Sequence, residues 1–368
     1  MLKILHAPVN IGNHPWVLSR NERKFGCLSD LVINYSTWLG YPADKVLGTY
    51  GEKNFLKKLK KIFFALQSPF RYDVIHYYFG KSILSYDNPP KNPSFDFLDL
   101  KLAKKLGKKI FFTLQGCDVR LASESSTRNL FTPCGENKCS AYQVCVSTLD
   151  QRRKNFIKNI LPLADQIFYL NPELGHYLPK SLFLPYANME VNNFTKIPPN
   201  IKRTPKIVHA PSDATIKGTD LILKALESLK ANYEFELILV QNKSHQEAME
   251  IYRDADLVID QVLCGWYGGF AVEMMAMGKP VMCYIRKEDL NFIPKKMSYD
   301  LPILNIHPAT LEKDIASFLD RKEEWNKWSD SSVEFVRKWH NPAIIAEILV
   351  EAYQQDAPYE FLKEKFNQ

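Results

Sequence analysis

Short apolar runs alternate with amphipathic helical patterns along almost the whole chain. Runs of this kind, bounded by polar turns, are typical of buried strands. In the first half the predicted strands are Lys3–His6, Asp30–Asn34, Asp73–Tyr77, Lys109–Thr113 and Gln166–Tyr169. In the second half they are Lys206–His209, Phe235–Val240, Leu257–Ile259 and Pro280–Tyr284. Because helical patterns separate the strands, we predict an α/β protein built on parallel sheets.

The helical patterns and one irregular segment suggest two domains. The clearest helical patterns are Trp16–Phe25, Phe95–Leu106, Asp220–Lys230 and Gln246–Asp254. Residues 187–205 contain three prolines and two adjacent asparagines and show no periodicity, so we predict a linker there. This linker separates a first domain, residues 1–186, from a second domain, residues 206–340.

The two halves open with a similar pattern. Ile4-Leu5-His6-Ala7-Pro8 matches Ile207-Val208-His209-Ala210-Pro211 at the end of the first strand of each half. This repetition predicts two Rossmann-like units, whose ligands bind at the carboxyl ends of the strands. His6 and His209 would lie at those ends, either as ligand contacts or as strand-end histidines with satisfied hydrogen bonds.

The segment Gly265–Val281 carries the most specific chemical signal. Gly268 and Gly269 follow a buried-strand pattern, where the chain must turn into a helix that starts near Phe270. Glycine permits positive φ and close approach of a ligand, and a helix N-terminus offers free N–H groups to a phosphate. We expect Glu273 in the first turn of the helix, where its carboxylate can bind the paired hydroxyls of a ribose. The alternative is an ordinary Rossmann helix stabilised by an N-terminal acid.

Two other loops follow predicted strands. Thr215–Asp220 opens an amphipathic helix and contains Lys217 beside a helix-starting glycine, where a lysine can simply be solvated. The loop after the fourth predicted strand contains Gln115, which can hydrogen-bond hydroxyls or a phosphate. In the same loop Asp118 either contacts a substrate or pairs with Arg120 to hold the loop.

Together these segments resemble the glycosyltransferases of the GT-B fold, in the retaining group that uses sugar nucleotides. That family carries two Glu residues with seven residues between them, a glycine-rich turn and a GKPV or GTPV ending. Glu273, Gly268 and the ending Gly278–Val281 fit the pattern, whereas Gly265 stands in place of the first Glu. The resemblance implies an α/β fold with two Rossmann-like domains facing across a cleft. It also implies that the segment 341–368 packs back on the first domain.

The resemblance assigns roles to individual residues. Lys217 resembles the lysine that neutralises the donor diphosphate, although Pro211-Ser212-Asp213 lacks the arginine usual there. Gln115 stands where the family has a histidine, and it cannot shuttle a proton. Gly12 lies in a loop that approaches the donor in related enzymes, but it also fits a simple tight turn. The catalytic candidates are Gln115, Asp118, Lys217 and Glu273. The donor-binding candidates are Gly12, Asn13, His209, Lys217, Tyr267, Gly268, Gly269, Phe270 and Glu273.

Composition and charge narrow the class of protein. The 368 residues suit two domains, and the formal charge of +7 favours anionic nucleotide-sugars or lipids. We expect no nucleic-acid partner, because zinc-finger spacing, an RNP-like motif and a long basic tail are absent. No apolar run approaches the ~20 residues of a membrane span and the first residues do not read as a signal peptide, so we expect a cytoplasmic protein.

The segment Phe55–Leu66 has a strongly basic amphipathic pattern. Lys57, Lys58, Lys60 and Lys61 lie off its apolar face. Such a helix can lie on an anionic membrane surface, on the acceptor side of an enzyme and at the inner face of the membrane. The alternative is that the apolar face packs on the first sheet and the lysines are its solvated side.

The cysteines offer a modest metal signal. Cys134, Cys139 and Cys145 lie in one polar loop and could bind zinc with a fourth ligand. Their spacing is C-x4-C-x5-C rather than paired C-x2-C, so free thiols fit better than zinc. The odd total of seven cysteines also fits reduced thiols better than a disulfide framework.

We therefore predict transfer of a sugar from an NDP-sugar to a glycan, lipid-linked or other cellular acceptor, with retention of configuration. The NDP-sugar is a co-substrate, and no metal or other cofactor is required. One alternative is a sugar-nucleotide epimerase or hydrolase on the same fold, which turns over the donor without an acceptor. The other is a catalytically silent, membrane-associated subunit, which the missing Glu, histidine and arginine favour.

Overall fold

The structure is a computed structural model that describes residues 1–37, 40–51, 53–85, 95–136, 138–243 and 245–366. Within these ranges twelve strands form two parallel sheets, and fifteen α-helices connect them. The strands are β1 (Lys3–Ala7), β2 (Leu28–Ile33), β3 (Lys45–Val46), β4 (Val74–Tyr78), β5 (Lys109–Leu114), β6 (Gln166–Tyr169), β7 (Ser181–Phe183), β8 (Lys206–His209), β9 (Glu236–Leu239), β10 (Leu257–Ile259), β11 (Val281–Cys283) and β12 (Leu304–Asn305). All nine predicted strands are confirmed.

The helices also follow the predicted order. They are α1 (His14–Lys24), α2 (Phe55–Arg71), α3 (Leu98–Lys105), α4 (Ala122–Arg128), α5 (Tyr142–Val144), α6 (Asp150–Asn159), α7 (Ala214–Lys217), α8 (Thr219–Leu229), α9 (His245–Arg253), α10 (Gly269–Ala276), α11 (Lys295–Asp300), α12 (Leu311–Leu319), α13 (Trp325–Trp339), α14 (Pro342–Tyr353) and α15 (Pro358–Phe366). Each of the four internal helical patterns singled out in the sequence corresponds to one of these helices.

Two compact units make up the chain. Unit 1 comprises Met1–Arg120, Asp150–Met189 and Pro342–Gln368, and unit 2 comprises Leu121–Leu149 and Glu190–Asn341. The boundaries differ from the expected ones in two places. Residues 121–149 belong with unit 2 rather than with the first domain. Most of the expected linker, from Glu190 onward, also packs as part of unit 2, so composition alone overestimated its length.

Unit 1 contains the seven-stranded sheet, in the order β3-β2-β1-β4-β5-β6-β7. Its first strand carries His6 into the interior, where the side chain is fully buried. The ring Nδ1 lies 2.7 Å from the hydroxyl of Tyr78, and Nε2 lies 2.7 Å from a carboxylate oxygen of Glu22. Both ring nitrogens of His6 are therefore engaged within the fold, as in the strand-end alternative, and the ligand-contact alternative loses its support.

The C-terminal helices α14 and α15 complete the core of unit 1. Ile345, Ala346 and Leu349 of α14 lie in one buried cluster with Ile4 and Phe111 of the sheet. Polar groups continue this contact. The buried hydroxyl of Tyr353 lies 2.8 Å from Nδ1 of His76 and donates to Glu22 over 3.1 Å. The last helices thus supply one layer of the unit whose sheet begins at β1.

Unit 2 contains the five-stranded sheet, in the order β12-β11-β10-β8-β9. Helix α8 turns its apolar face, including Ile222 and Leu226, into a buried cluster with Ile207 of β8 and Trp325 of α13. The three strands missed in the sequence, β3, β7 and β12, are two or three residues long and form sheet edges. Strands that short contain too few residues to show a period of two.

Helix α2 shows two opposite faces. Phe64, Ala65, Ser68 and Pro69 are its buried residues. At about 100° per residue, these fall on the side opposite to a stripe of large apolar side chains that are 43–69% exposed. We call this stripe the apolar stripe of α2; its residues are Phe55, Leu56, Leu59, Phe63 and Phe70. The alternative in which the apolar face packs on the sheet is therefore wrong for these residues. Among the helices of the described ranges, none is both long and apolar enough to cross a bilayer.

Candidate functional site

The turn between β10 and α10 forms the centre of the candidate site in unit 2. Gly268 is the N-cap of α10, with φ −106° and ψ −178°, so its backbone is extended and needs no positive φ. The helix begins at Gly269, close to the predicted start. Glu273 consequently lies in the second turn and not, as predicted, in the first. Its side chain is half-buried.

Helix α10 ends just before Gly278. Gly278 has φ +73°, and its N–H donates to the carbonyl of Met275 while Lys279 N–H donates to Met274. This pair of bonds is the Schellman arrangement that ends many helices. A Cβ at position 278 would lie 2.7 Å from Ser329 Oγ, so both the backbone angle and the packing require glycine there.

Lys217 is held beside the glycine turn by its own short helix. The carboxylate of Asp213 accepts from Ile216 N–H and caps α7, and Gly218 ends α7 with φ +77°. A Cβ on Gly218 would lie 2.6 Å from Val262, immediately after β10, so glycine lets α7 pack closely against that strand end. Lys217 carbonyl accepts from Val262 N–H over 3.0 Å. The solvated-lysine alternative is wrong, because the Lys217 side chain is only 13% exposed.

A buried carboxylate that the sequence analysis missed joins these groups. Asp260, one residue after β10, accepts from Lys217 Nζ over 2.9 Å and from Gly268 N–H over 2.6 Å. Burial is the largest single influence on the pKa of Lys217 and acts to lower it. The charge and hydrogen bond of Asp260, together with two neighbouring cysteines, raise that pKa overall, so Lys217 remains protonated. Lys217 and Gly268 thus lie close together, as predicted, but the group that both of them contact is the side chain of Asp260. The sequence feature that could have identified Asp260 is its position directly after the buried strand β10.

Gly265 stands where the resembling family has its first Glu, and an arginine packs directly against it. Gly265 has φ +73°, and a Cβ there would lie 2.7 Å from the guanidinium carbon of Arg286. Arg286 is buried, pairs with Asp289 over 2.8 Å and donates to the carbonyl of Phe131 over 2.9 Å. A positively charged group therefore occupies the space into which a side chain at 265 would project. The sequence analysis did not single out Arg286.

Three residues of unit 2 that were predicted to bind the donor have partners within the protein. Two of them are fully buried, and the third packs against a neighbouring aromatic ring. Tyr267 is fully buried, and its hydroxyl lies 2.9 Å from His340 Nε2. His209 is also fully buried: Nδ1 lies 2.8 Å from the Ile259 carbonyl and Nε2 2.9 Å from the Thr219 hydroxyl. Burial lowers the pKa of His209 and keeps the ring neutral. These contacts favour structural roles for both residues.

Phe270 is the third of these residues. Its ring packs against that of Tyr252, with 5.0 Å between the ring centroids, and the side chain is half-buried. This contact fixes the first turn of α10 against α9. Phe270 therefore supports the shape of the glycine turn, and the geometry shows no further role for it.

In unit 1, Gln115 and Asp118 form one compact loop after β5. The Asp118 carboxylate accepts from Gln115 N–H over 2.9 Å and from Gly116 N–H over 2.6 Å. Burial raises the pKa of Asp118, and these two bonds act in the opposite direction. Arg120, the partner considered for Asp118 in one of the two alternatives, forms its buried ion pair with Glu173. Asp118 holds the loop through backbone N–H groups instead.

The amide of Gln115 has hydrogen-bonding capacity left over. Its Nε2 atom is buried and has no hydrogen-bond partner among the described residues. An amide N–H can donate to a hydroxyl or a phosphate oxygen. This position in the structure is therefore compatible with the predicted ligand contact of Gln115, although the amide cannot act as a proton shuttle.

Gly12 and Asn13 form the tight turn between β1 and α1. Both have positive φ, +63° and +60°, and Asn13 is the N-cap position of α1. Nothing lies within 4 Å of a Cβ built on Gly12, so the glycine is needed for its backbone angle rather than for space. Asn13 Nδ2 donates to the carbonyl of Asn188 over 3.2 Å. These contacts account for the turn without a ligand.

The cysteine loop does not assemble a metal site in the described ranges. No group of three or more His, Cys, Asp or Glu residues there is arranged to hold a metal ion. None of the seven cysteines, all of which lie in the described ranges, forms a disulfide, and Cys134, Cys139 and Cys145 are among them. Cys139 lines a surface cavity of unit 2 together with Tyr142 and Thr215.

Comparison with known proteins finds structures with a similar fold but no match at the level of sequence. No protein-family model matches the chain, and no curated protein sequence matches it. Among solved structures, sucrose-phosphate synthase from Thermosynechococcus elongatus has a TM-score of 0.61 at 16% identity and covers 96% of this chain and 99% of its own. HepE from Anabaena in complex with UDP-glucose has a TM-score of 0.57 at 10% identity, with coverage of 95% and 99%.

A third structure belongs to a different class of enzyme. A putative UDP-N-acetylglucosamine 2-epimerase from Listeria monocytogenes has a TM-score of 0.51 at 12% identity and covers 97% of this chain and 98% of its own. At identities this low the likeness concerns the fold, and it extends over nearly the full length of each chain. The two parallel sheets, the strand order and these similarities together show that the chain has the GT-B fold, with two Rossmann-like domains.

Proposed function

We propose that this protein is a glycosyltransferase that takes a sugar from an NDP-sugar donor. The proposal depends on one observation: Lys217 lies beside the N-terminus of α10. A Cβ built on Gly268 would lie 3.2 Å from the lysine Nζ. An ammonium group and the N–H groups of a helix N-terminus are the usual partners of a diphosphate. Solved structures with the same fold include complexes with UDP and UDP-glucose, which supports a nucleotide-sugar as the ligand.

The proposed chemistry needs only a leaving group and a positive charge near it. The bond between the sugar C1 and the β-phosphate oxygen breaks, and a bond from the acceptor oxygen to C1 forms on the same face. The leaving diphosphate takes the acceptor's proton, so no strong protein base is required. Lys217 stabilises the charge that builds on the diphosphate. We accordingly propose retention of configuration and no required metal ion.

We assign donor contacts to residues of unit 2 and of unit 1 separately. Lys217 and the amides of Gly268 and Gly269 would hold the diphosphate, and Glu273 the ribose. On the sugar side we retain Gln115, whose buried amide has spare hydrogen-bonding capacity. Asp118 and the turn at Gly12 and Asn13 would position this side rather than react.

We further propose a glycan or lipid-linked acceptor and a cytoplasmic protein that binds the membrane from the inner face. The apolar stripe of α2 supports this, since its five large side chains are 43–69% exposed and Lys58 and Lys60 are exposed beside it. A helix with an exposed apolar side and flanking lysines is suited to the headgroup region of an anionic bilayer. At about 100° per residue, Lys57 and Lys61 fall on the side of Phe64 and Ser68, so they would face away from the bilayer.

A second candidate is a catalytically silent, membrane-associated subunit. The specific observation in its favour is Gly265, because Arg286 fills the space where a first Glu would contact the transferred sugar. A silent subunit predicts membrane or partner binding with no turnover of any nucleotide-sugar. An epimerase or hydrolase predicts donor turnover that requires no acceptor.

Calorimetric titration of the purified protein with UDP-, GDP-, ADP-, CMP- and dTDP-sugars tests the proposal. We expect micromolar binding of one donor and at least tenfold weaker binding to Glu273→Ala, about the value of a hydrogen bond to a charged group. Glu334→Ala, an exposed glutamate on α13, is the matched control and should bind like the natural protein. Equal affinity of Glu273→Ala would refute the ribose assignment, and no binding to any donor would favour the silent subunit.

A further inference from the structure

Asp260 makes two of the contacts that an anionic ligand would make at the glycine turn. One carboxylate oxygen accepts from Lys217 Nζ and the other from Gly268 N–H, at 2.9 Å and 2.6 Å. The residue is 1% exposed, so its charge is stabilised by these contacts rather than by bulk water. A carboxylate and a phosphate have similar hydrogen-bonding oxygens, and a helix N-terminus favours either of them.

We propose that Asp260 is an internal occupant of the phosphate position, and that an incoming donor diphosphate must displace its carboxylate. This inference rests on the proposed function, because it concerns the same turn. It makes Asp260 a residue that sets donor affinity by competing with the donor rather than by binding it.

The charges at the turn support competition. In the free protein the lysine charge is already neutralised by Asp260, and the Lys217 side chain is only 13% exposed. A phosphate arriving with Asp260 still in place would put two like charges at one poorly solvated position, which is strongly unfavourable. The phosphate and the carboxylate therefore exclude each other, and each can replace the other as partner of Lys217 and Gly268.

The space around the turn points in the same direction. A Cβ on Gly268 would lie 3.2 Å from Lys217 Nζ and 3.5 Å from a carboxylate oxygen of Asp260. Both side chains therefore lie directly against the backbone of the turn, with little room for a side chain at position 268. The turn is thus built around an anion, and in the free protein this anion is Asp260.

The test uses inorganic pyrophosphate, which carries the diphosphate group of a donor without base or sugar. We expect Asp260→Asn to bind pyrophosphate at least tenfold more tightly than the natural protein, because Lys217 then lacks its counter-charge. The matched control is Asp256→Asn, which also removes a buried carboxylate that pairs with an arginine, Arg203, next to the same strand. That control should bind pyrophosphate like the natural protein. Equal or weaker binding by Asp260→Asn would overturn the proposal.

A second measurement covers the case in which Asp260→Asn is unstable. An unpaired buried lysine is strongly destabilising, and an anion at the same position should restore the lost partner. We expect pyrophosphate to raise the unfolding temperature of Asp260→Asn more than that of the natural protein. Lys217→Met/Asp260→Asn, which carries neither charge, should fold and gain nothing from pyrophosphate. If Asp260→Asn stays unfolded in saturating pyrophosphate while this double variant folds, the proposal fails.

Failure of the proposed function would look different. If no nucleotide-sugar binds to the natural protein or to Asp260→Asn, while pyrophosphate still binds more tightly to the variant, the donor assignment falls and the competition stands. If nucleotide-sugars bind to the natural protein and Asp260→Asn shows no gain with either ligand, the competition falls and the donor assignment stands.

Discussion

At the scale of single residues, Gly265 and Arg286 distinguish the site from the pattern it resembles. Arg286 fills the space beside the Cα of Gly265 and is tied to Asp289 and to the carbonyl of Phe131. A buried arginine with two such partners cannot move aside without leaving a charge or a carbonyl unpaired. The missing Glu is therefore part of a consistent local arrangement, and a glutamate could not be reintroduced at this position alone.

The first prediction compares two glycines with the same backbone requirement. Gly265 and Gly107 have φ of +73° and +69°, but a Cβ would clash with Arg286 at Gly265 and meet nothing within 4 Å at Gly107. We expect Gly107→Ala to cost about 1 kcal/mol of unfolding free energy, from the backbone angle alone. Gly265→Ala should cost about 2 kcal/mol more, because Arg286 must shift as well. Urea unfolding of both variants measures the difference, and equal costs would contradict the packing argument.

Single residues also show where sequence reasoning succeeds and where it stops. Gly278 could be predicted because a helix stop has a local signature, a glycine just beyond the last turn. The contact of Asp260 with Lys217 joins residues 43 positions apart, and no local pattern encodes it. The burial of Tyr267 and His209 likewise depends on residues distant in the sequence. Local geometry was predictable, whereas the partner of each polar group was not.

At the scale of elements, α2 shows that one amphipathic pattern can have two outcomes. The sequence predicts an apolar side and a basic side, but it cannot say which side meets the sheet. In the structure the buried face of α2 consists of Phe64, Ala65, Ser68 and Pro69, and the apolar stripe stays exposed. The buried face contains a serine and a proline and is less apolar than the exposed one. Hydrophobic periodicity alone would assign the opposite orientation.

The second prediction separates membrane binding from folding on this helix. We expect Phe55→Ser/Phe63→Ser to bind phosphatidylglycerol vesicles at least tenfold more weakly, because both side chains leave water on binding. Their removal should change the unfolding free energy by less than about 0.5 kcal/mol, as is usual for exposed residues. Phe64→Ala, on the buried face, should instead destabilise the protein by about 3 kcal/mol. Vesicle co-sedimentation and urea unfolding measure the two effects.

The charge of the same helix provides the control for lipid type. Lys58→Gln/Lys60→Gln should weaken binding to phosphatidylglycerol vesicles about thirtyfold, since each lysine near an anionic surface contributes about 1 kcal/mol. Binding to purely zwitterionic vesicles should not change. Vesicle affinities that are unaffected by either double substitution would show that the apolar stripe serves another purpose.

At the scale of the whole molecule, unit 1 is assembled from three separate stretches of chain. The helices α14 and α15 fill one side of its core and bring Tyr353 into a buried network with Glu22 and His76. Burial raises the pKa of Tyr353, with the charge of Glu22 acting in the same direction, so its hydroxyl remains a donor at neutral pH. The arrangement could not be predicted from periodicity, because an amphipathic helix of either unit has the same pattern.

The third prediction concerns this C-terminal segment. We expect removal of residues 342–366 to leave unit 1 without a stable core, because the sheet residues under α14 would face water. Limited proteolysis followed by mass spectrometry should then show rapid cutting within residues 1–120 and 150–189. Tyr353→Phe is the mild control: it removes two buried hydrogen bonds, should cost about 1–3 kcal/mol, and should leave the cutting pattern unchanged. A truncated protein as resistant as the intact one would contradict the assignment of α14 and α15 to this core.

The three-stretch construction of unit 1 has a consequence for how the chain matures on the ribosome. Translation runs from the N-terminus towards the C-terminus, so β1 emerges before every segment of unit 2, and its covering helices α14 and α15 emerge after them. The domain that is begun first is therefore finished last, and its apolar sheet face stays uncovered for most of synthesis. Nascent chains should therefore need chaperones to cover this apolar face throughout that interval.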